Sequence, residues 1–259
     1  MNATRRKFQR TAASRLLGLA LLVLANPTPA EDLPRGDCGA PTPAADLRHC
    51  DLGGAQLQGV DLRGTRLDGA RLENADLTGC KLAGASLIGA NLRWTKLGGC
   101  DLTGAKLNGA DLFHAILDEA DITNIDLTQA NLFGADLIQV HGRGADFTQA
   151  YLKDVLMEES ELPEARFDRA YMFRAVLIGS RLTGASILQA TLTDAAMVGV
   201  DLAQADLSGS LLNGAHLRGA RFQSARLTGA RFVNAVHAGA DFSGALEMPE
   251  HLRAMLEAH

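Results

Sequence analysis

The residues with chemistry to offer in this 259-residue chain are seven histidines, four cysteines and thirty aspartates and glutamates. Enzymes set such groups at fixed spacings, because nucleophile, base and ligand must converge on one reacting atom. No His-Glu-x-x-His, Gly-x-Ser-x-Gly or phosphate-cradling glycine loop occurs here. Cys38, Cys50, Cys80 and Cys100 match no zinc spacing. His49, His114, His141 and His216 sit at outward positions. His237 takes an apolar position, where the ordinary occupant is a satisfied or partly exposed histidine rather than a ligand. Carboxylates are plentiful, but a catalytic pair needs a concave, partly desolvated pocket. No catalytic, cofactor-binding or metal-ligating residue is assigned, and an enzyme is not expected.

What positions all these residues is a period of five. From Ala45 the chain reads Ala-Asp-Leu-Arg-His, Cys-Asp-Leu-Gly-Gly, Ala-Gln-Leu-Gln-Gly, and the register holds for forty repeats to Phe242 and its flanks. The central position holds 28 Leu, 5 Phe, 3 Met and 2 Ile, with Gly142 and His237 as departures. Two residues earlier, 27 of the forty positions are Ala and the rest are small or β-branched. Five fits neither a helical period of 3.6 nor a strand period of 2. Each repeat must therefore turn one large and one small apolar side chain inward and then round a corner. Glycine recurs at the last position, as befits a turn residue that accepts positive φ. A regular filling by Leu and Ala also explains why only 5% of the residues are aromatic.

The pattern resembles the pentapeptide repeat family, whose loose motif is A(D/N)LXX, over residues 45–244. The resemblance implies an all-β fold, a right-handed quadrilateral β-helix with four repeats per 20-residue coil. Residues 45–245 would form about ten coils, a rod roughly 48 Å long at ~4.8 Å per coil. Such a solenoid needs capped ends. Residues 246–259 supply a short C-terminal helix cap: Pro249 suits a first turn, Glu250 lies near its positive end, and Leu252, Met255 and Leu256 share one face. A dimerisation helix is the competing reading. The Pro- and Gly-rich residues 31–44 read as an extended N-terminal lead-in. Gly142 removes a central side chain, which predicts a cavity or a tightened, locally bent coil.

Residues 1–30 read as an export signal. Arg5, Arg6, Lys7, Arg10 and Arg15 precede an apolar run from Leu16 to Ala25, and small residues at Thr28 and Ala30 suit cleavage. The stretch from Thr4 to Arg10 resembles the twin-arginine motif through Arg5 and Arg6. Gln9 stands where that motif has Leu, so the general secretory route stays open. An uncleaved membrane anchor is the bland alternative. The expected location is the bacterial periplasm or exterior. Cleavage changes the net charge from −5 to −10, because it removes five basic residues and no acidic ones. An acidic mature chain is a poor partner for nucleic acid.

In an oxidising compartment Cys38 and Cys50 are expected to pair, closing a loop worth ~3 kcal/mol. Cys80 and Cys100 lie twenty residues apart and would stack in successive coils. Either two buried thiols or a disulfide fits that spacing. The six aromatics outside the core and the signal, Trp94, Phe113, Phe133, Tyr151, Tyr171 and Phe173, all fall on one of the four sides. Such a patch marks a face for a protein partner or a second copy; stacking of like side chains that merely stabilises the ladder explains it equally. The functional expectation is a non-enzymatic, exported structural or protein–protein interaction rod with no small-molecule substrate. The alternative comes from the resemblance. Some family members imitate B-form DNA and inhibit or protect DNA gyrase, but interleaved Arg and Lys and the unbroken register oppose that here.

Overall fold

The structure is a computed structural model describing residues 35–257. The signal expected at residues 1–30 lies outside the described residues. From Asp46–Arg66 to Arg226–Leu246, the second residue of every five-residue unit bridges, in parallel, the residue twenty positions on. The third residue donates its N–H to a carbonyl nineteen residues ahead, as Leu47 does to Arg66 at 2.8 Å. The second donates to one twenty-one residues behind, as Arg66 does to Ala45 at 3.0 Å. A 20-residue pairing over a five-residue period gives each coil four sides. In the coil 101–120 these are 101–105, 106–110, 111–115 and 116–120, called below the first to fourth sides.

The sequence pattern follows from this geometry. Third-position residues such as Leu62, Leu92, Phe147 and Met157 are buried, as are smaller residues two positions earlier such as Ala90, Ala145 and Val155. Only a small or β-branched side chain stands where the chain rounds the corner. An Asp or Asn at the second position accepts the N–H two residues on, as Asp101 does from Thr103 (3.1 Å) and Asn131 from Phe133 (3.2 Å). That is an Asx turn, and it accounts for the Asp or Asn that recurs before the central residue. The fifth residue is left-handed, φ being 67° at Gly54.

Polar residues at the small inward position are satisfied within the lumen wall. The Ser160 hydroxyl donates to the Leu137 carbonyl at 2.7 Å and accepts the Val140 N–H at 3.2 Å, bridging a bond that neighbouring repeats make directly. Thr95 donates to Leu72 and Cys100 Sγ to Leu77. Cys80 and Cys100 are both free thiols and both buried. The Cys100 thiol beside it, reinforced by burial, pushes the Cys80 thiol well above the usual range. At Gly142 the ladder continues: Gly142 N–H reaches the Glu161 carbonyl at 2.8 Å. Ile122 and Leu162, one coil either side, close over the missing side chain. A Cβ at Gly142 would lie 2.7 Å from Leu162 Cδ2 and 2.8 Å from Ile122 Cγ1.

The two ends are closed differently. At the N-terminus the lead-in is more than an extended strand: Arg35 bridges Asp46, and the chain then reverses through Cys38–Gly39 so that Asp37 bridges Ala40. Gly36 lies directly on Leu47, since a Cβ there would meet Leu47 Cδ2 at 2.5 Å. A disulfide joins Cys38 to Cys50, with Cα atoms 5.6 Å apart. At the C-terminus, helix α1 (Glu250–Glu257) buries Leu252 and packs Met248, just before it, and Leu256 against the core. Phe232 N–H, whose regular acceptor would be the carbonyl of residue 251, is instead accepted by His251 Nε2 at 3.1 Å. His237 is partly buried in this last part of the ladder. No helix among the described residues is long and apolar enough to cross a membrane.

Outside, ion pairs step between coils, including Arg71–Asp51 at 3.0 Å, Arg174–Asp154 at 2.6 Å and Arg181–Glu161 at 2.6 Å. Each is exposed and worth little alone. Bonds from Arg48 and Arg63 hold the carboxyls of Asp46 and Asp61 down at about 2, against an ordinary 3.8.

Three outcomes follow for the fold. Cys38→Ser lowers the unfolding free energy by about 2–4 kcal/mol in denaturant titrations; an unchanged midpoint would show the bond to be idle. Gly142→Leu overpacks the space held by Ile122 and Leu162 and costs about 1–3 kcal/mol. Asp46 and Asp61 have depressed folded values, so their contribution is complete above pH about 4 and is lost as the pH falls towards 2. The melting temperature therefore declines across that window, and less steeply in the Arg48→Ala, Arg63→Ala double variant.

Candidate interaction surface

The third side gathers the six aromatics named from the sequence and joins them into one ladder. Trp94 stacks on His114 at 4.4 Å, and His114 meets Phe113 edge-on at 4.5 Å. Phe113 stacks on Phe133 at 5.4 Å, and Phe133 leads to Tyr151 at 6.2 Å. Tyr151 stacks on Tyr171 at 5.3 Å, and Tyr171 lies 6.3 Å from Phe173. The cause is the 20-residue pairing, which sets like positions one strand spacing apart and so within the range of ring stacking.

Cations overlie this ladder. The Arg93 guanidinium sits 4.2 Å from the Phe113 ring centre, Lys153 Nζ 5.5 Å from Phe133, and the Arg174 guanidinium 5.5 Å from Phe173. Asp111 holds the upper part together, accepting from Arg93 at 3.0 Å, Asn131 at 2.8 Å and Phe113 N–H at 3.2 Å. Asp154 anchors Arg174, and that guanidinium lowers the Asp154 carboxyl below its ordinary value. His114 was not among the aromatics singled out from the sequence. Its place one coil after Trp94 is the signal that finds it.

Local backbone shape matters at two points. Trp94 adopts φ 58° at a position that favours glycine, a conformation costing about 1–2 kcal/mol for a side-chain-bearing residue. Gly134 lies beneath the His114 ring; a Cβ there would stand 2.5 Å from His114 Cε1. The imidazole can lie flat along the ladder only because that side chain is missing. Trp94, Tyr151 and Tyr171 remain substantially exposed, at 48%, 41% and 38%. The rings cover one another's faces, so what they offer outward is mainly ring edges and the cations beside them.

Among the described residues no group of three or more His, Cys, Asp or Glu is arranged to hold a metal ion. The surface depressions are open and lie between neighbouring coils, such as one of about 300 Å³ lined by Thr148, Arg166, Asp168 and Arg169.

The family model of pentapeptide repeats matches in eight overlapping copies, from residues 45–84 through to 201–236. The chain belongs to the pentapeptide repeat family. Solved pentapeptide repeat proteins share the β-helix, which is right-handed. This pentapeptide repeat protein is similar to HetL of the cyanobacterium Nostoc sp. strain PCC 7120, a protein involved in heterocyst differentiation regulation. The identity is 30% and the TM-score 0.59, over 79% of this chain and 90% of HetL. It also matches Rfr23 of the cyanobacterium Cyanothece 51142, at 21% identity and TM-score 0.36, over 44% of this chain and 89% of that one. QnrB1, a plasmid-mediated fluoroquinolone resistance protein, matches at 15% identity and TM-score 0.33, over 80% and 92%. No curated protein matches the pentapeptide repeat protein in sequence.

Phe113→Ala removes one ring stack, two edge-on ring contacts and the seat of Arg93. It is expected to lower stability by about 1–2 kcal/mol and to shift the emission of Trp94, the single tryptophan, to longer wavelength.

Proposed function

We infer that this protein is a non-enzymatic, exported interaction rod of about ten coils that presents its third side to a protein partner. The observation that carries the reading is the exposed aromatic ladder from Trp94 to Phe173, with Arg93, Lys153 and Arg174 laid over it. Aromatic and Arg side chains dominate the energetics of protein–protein interfaces. Here they are already ordered by stacking, so little conformational entropy is lost on binding. Export is supported by the basic and apolar character of residues 1–30 and agrees with the Cys38–Cys50 disulfide, a bond that persists in oxidising compartments. Nucleic-acid mimicry has less support, because outward arginines pair with acids across the coils and break up any continuous negative track.

Two measurements test the reading. Fractionation of producing cells should place a chain beginning at Glu31 outside the cytoplasm; a full-length cytoplasmic chain would overturn export. A photo-crosslinking residue in place of Trp94 should give one discrete adduct in those cells, lost when Phe113, Phe133 and Phe173 are all alanine. An adduct pattern indifferent to that triple change, with the fold retained, sinks the third side as an interface.

A further inference from the structure

The fourth side carries a second surface, unrelated to the aromatic ladder. From Leu156 on, its outward positions hold Leu156, Val176, Ile178, Ala196 and Val198, which fall in two columns at 20-residue intervals; Ile138 shares the second column but is cut off from Ile178 by Glu158. Ile178 and Val198 are 40% and 37% exposed, although neither is needed to fill the lumen. Aliphatic residues in adjacent columns over successive coils form a contiguous patch rather than scattered exposure.

Alongside Leu156 and in the two coils before it lie Asp118, Glu119, Asp136, Glu158 and Glu159, surrounding Ile138. On the other sides several acids meet an Arg one coil away, as at Asp51, Asp154 and Glu161. Among the described residues no ion pair reaches any of these five. Burial, and then the neighbouring Asp118, push the Asp136 carboxyl upward. Between Gly79, Gly98, Gly99, Ile116, Asp118 and Glu119 opens a shallow depression of about 460 Å³.

The occupant follows from geometry and charge. Backbone groups on this side are already bonded to the coils above and below, as Leu137 N–H is to Leu156 and Met157 N–H to Val176. A partner therefore cannot add a β-strand there and must dock through side chains. Turns of an α-helix rise 5.4 Å, close to the ~4.8 Å coil spacing, so the mismatch stays near 2 Å across four coils. A helix lying along the stack sets one apolar residue per coil. Its N-terminus is the end that favours carboxylates. A second copy of this chain offers no such element: α1 carries two glutamates and one arginine, and no other side is net basic at its outward positions. We propose that the fourth side seats a basic amphipathic α-helix of a partner protein, its lysine- or arginine-bearing N-terminus over Asp118–Glu159 and its apolar stripe along Leu156–Val198.

The probe is a fluorescein-labelled helical peptide of about 18 residues, with lysines in its first two turns and a leucine stripe beyond, compared with the same residues in reverse order. Fluorescence anisotropy with the whole mature protein should show the forward peptide binding about tenfold more tightly than the reversed one. Ile178→Lys with Val198→Lys, and separately Glu119→Gln with Glu158→Gln and Glu159→Gln, should each weaken it about tenfold. The glutamine variant, which leaves the core untouched, should also flatten the salt dependence. The Phe113, Phe133 and Phe173 alanine variant should bind the peptide as before, so failure here is distinct from failure of the third side. Equal binding of both peptides, no effect of either fourth-side variant, or loss of binding in the aromatic variant would overturn the proposal. So would a dimer in sedimentation that the two lysine substitutions disperse.

Discussion

Everything in this molecule hangs on one bond, the N–H of a residue reaching the carbonyl nineteen positions ahead. Repeated every five residues, it fixes which side chains meet. The inward Leu of one coil lands on the inward Leu, Ile or Phe of the next, as where Phe147 stacks on Phe167 and Phe222 on Phe242. The same step lines up the outward positions, so each side carries columns in which residue i always faces residue i + 20. A slip of one residue would turn every third-position Leu towards water, and the unbroken register is what prevents it.

Core and surface are therefore separate tasks for the sequence. Two positions in five build the lumen, and a third accepts a backbone N–H at the corner. The others are constrained only by the left-handed turn and by solvent. The polar core residues obey the same economy. Ser160 does not interrupt the ladder, because its hydroxyl stands between a carbonyl and an N–H that would otherwise bond to each other. Tolerance of this kind explains how Thr, Ser and Cys replace Ala at the small inward position without leaving a buried group unsatisfied.

Much of this was legible in the sequence, for reasons that can be stated. The five-residue period is strong because Leu and Ala recur without insertion, and the aromatic side stood out because aromatics are rare elsewhere. The twenty-residue closure was not a property of the period; it came from the family resemblance. The filling of the Gly142 gap was illegible, since it depends on the rotamers of Ile122 and Leu162. So was the capping of Phe232 by His251, which lies beyond the register. The fourth side escaped notice for a different reason. An Ile or Val at a single outward position is unremarkable, and only the folded stack shows that Ile138, Ile178 and Val198 share one column. His114 was hidden in the same way, being one of several outward histidines until the coil laid it on Trp94.

The unlike closures at the two ends give the rod a direction. One end is held by a covalent link between Cys38 and Cys50, with Gly36 pressed on Leu47. The other is held by one short helix and a single imidazole standing in for a carbonyl. In a linear array each coil is secured mainly by its neighbours, so loss of a terminal unit exposes the next. Under heat or tension the stack should fray from α1 inward, shedding coils like a zipper opened from its free end, while the stapled end stays wound until last.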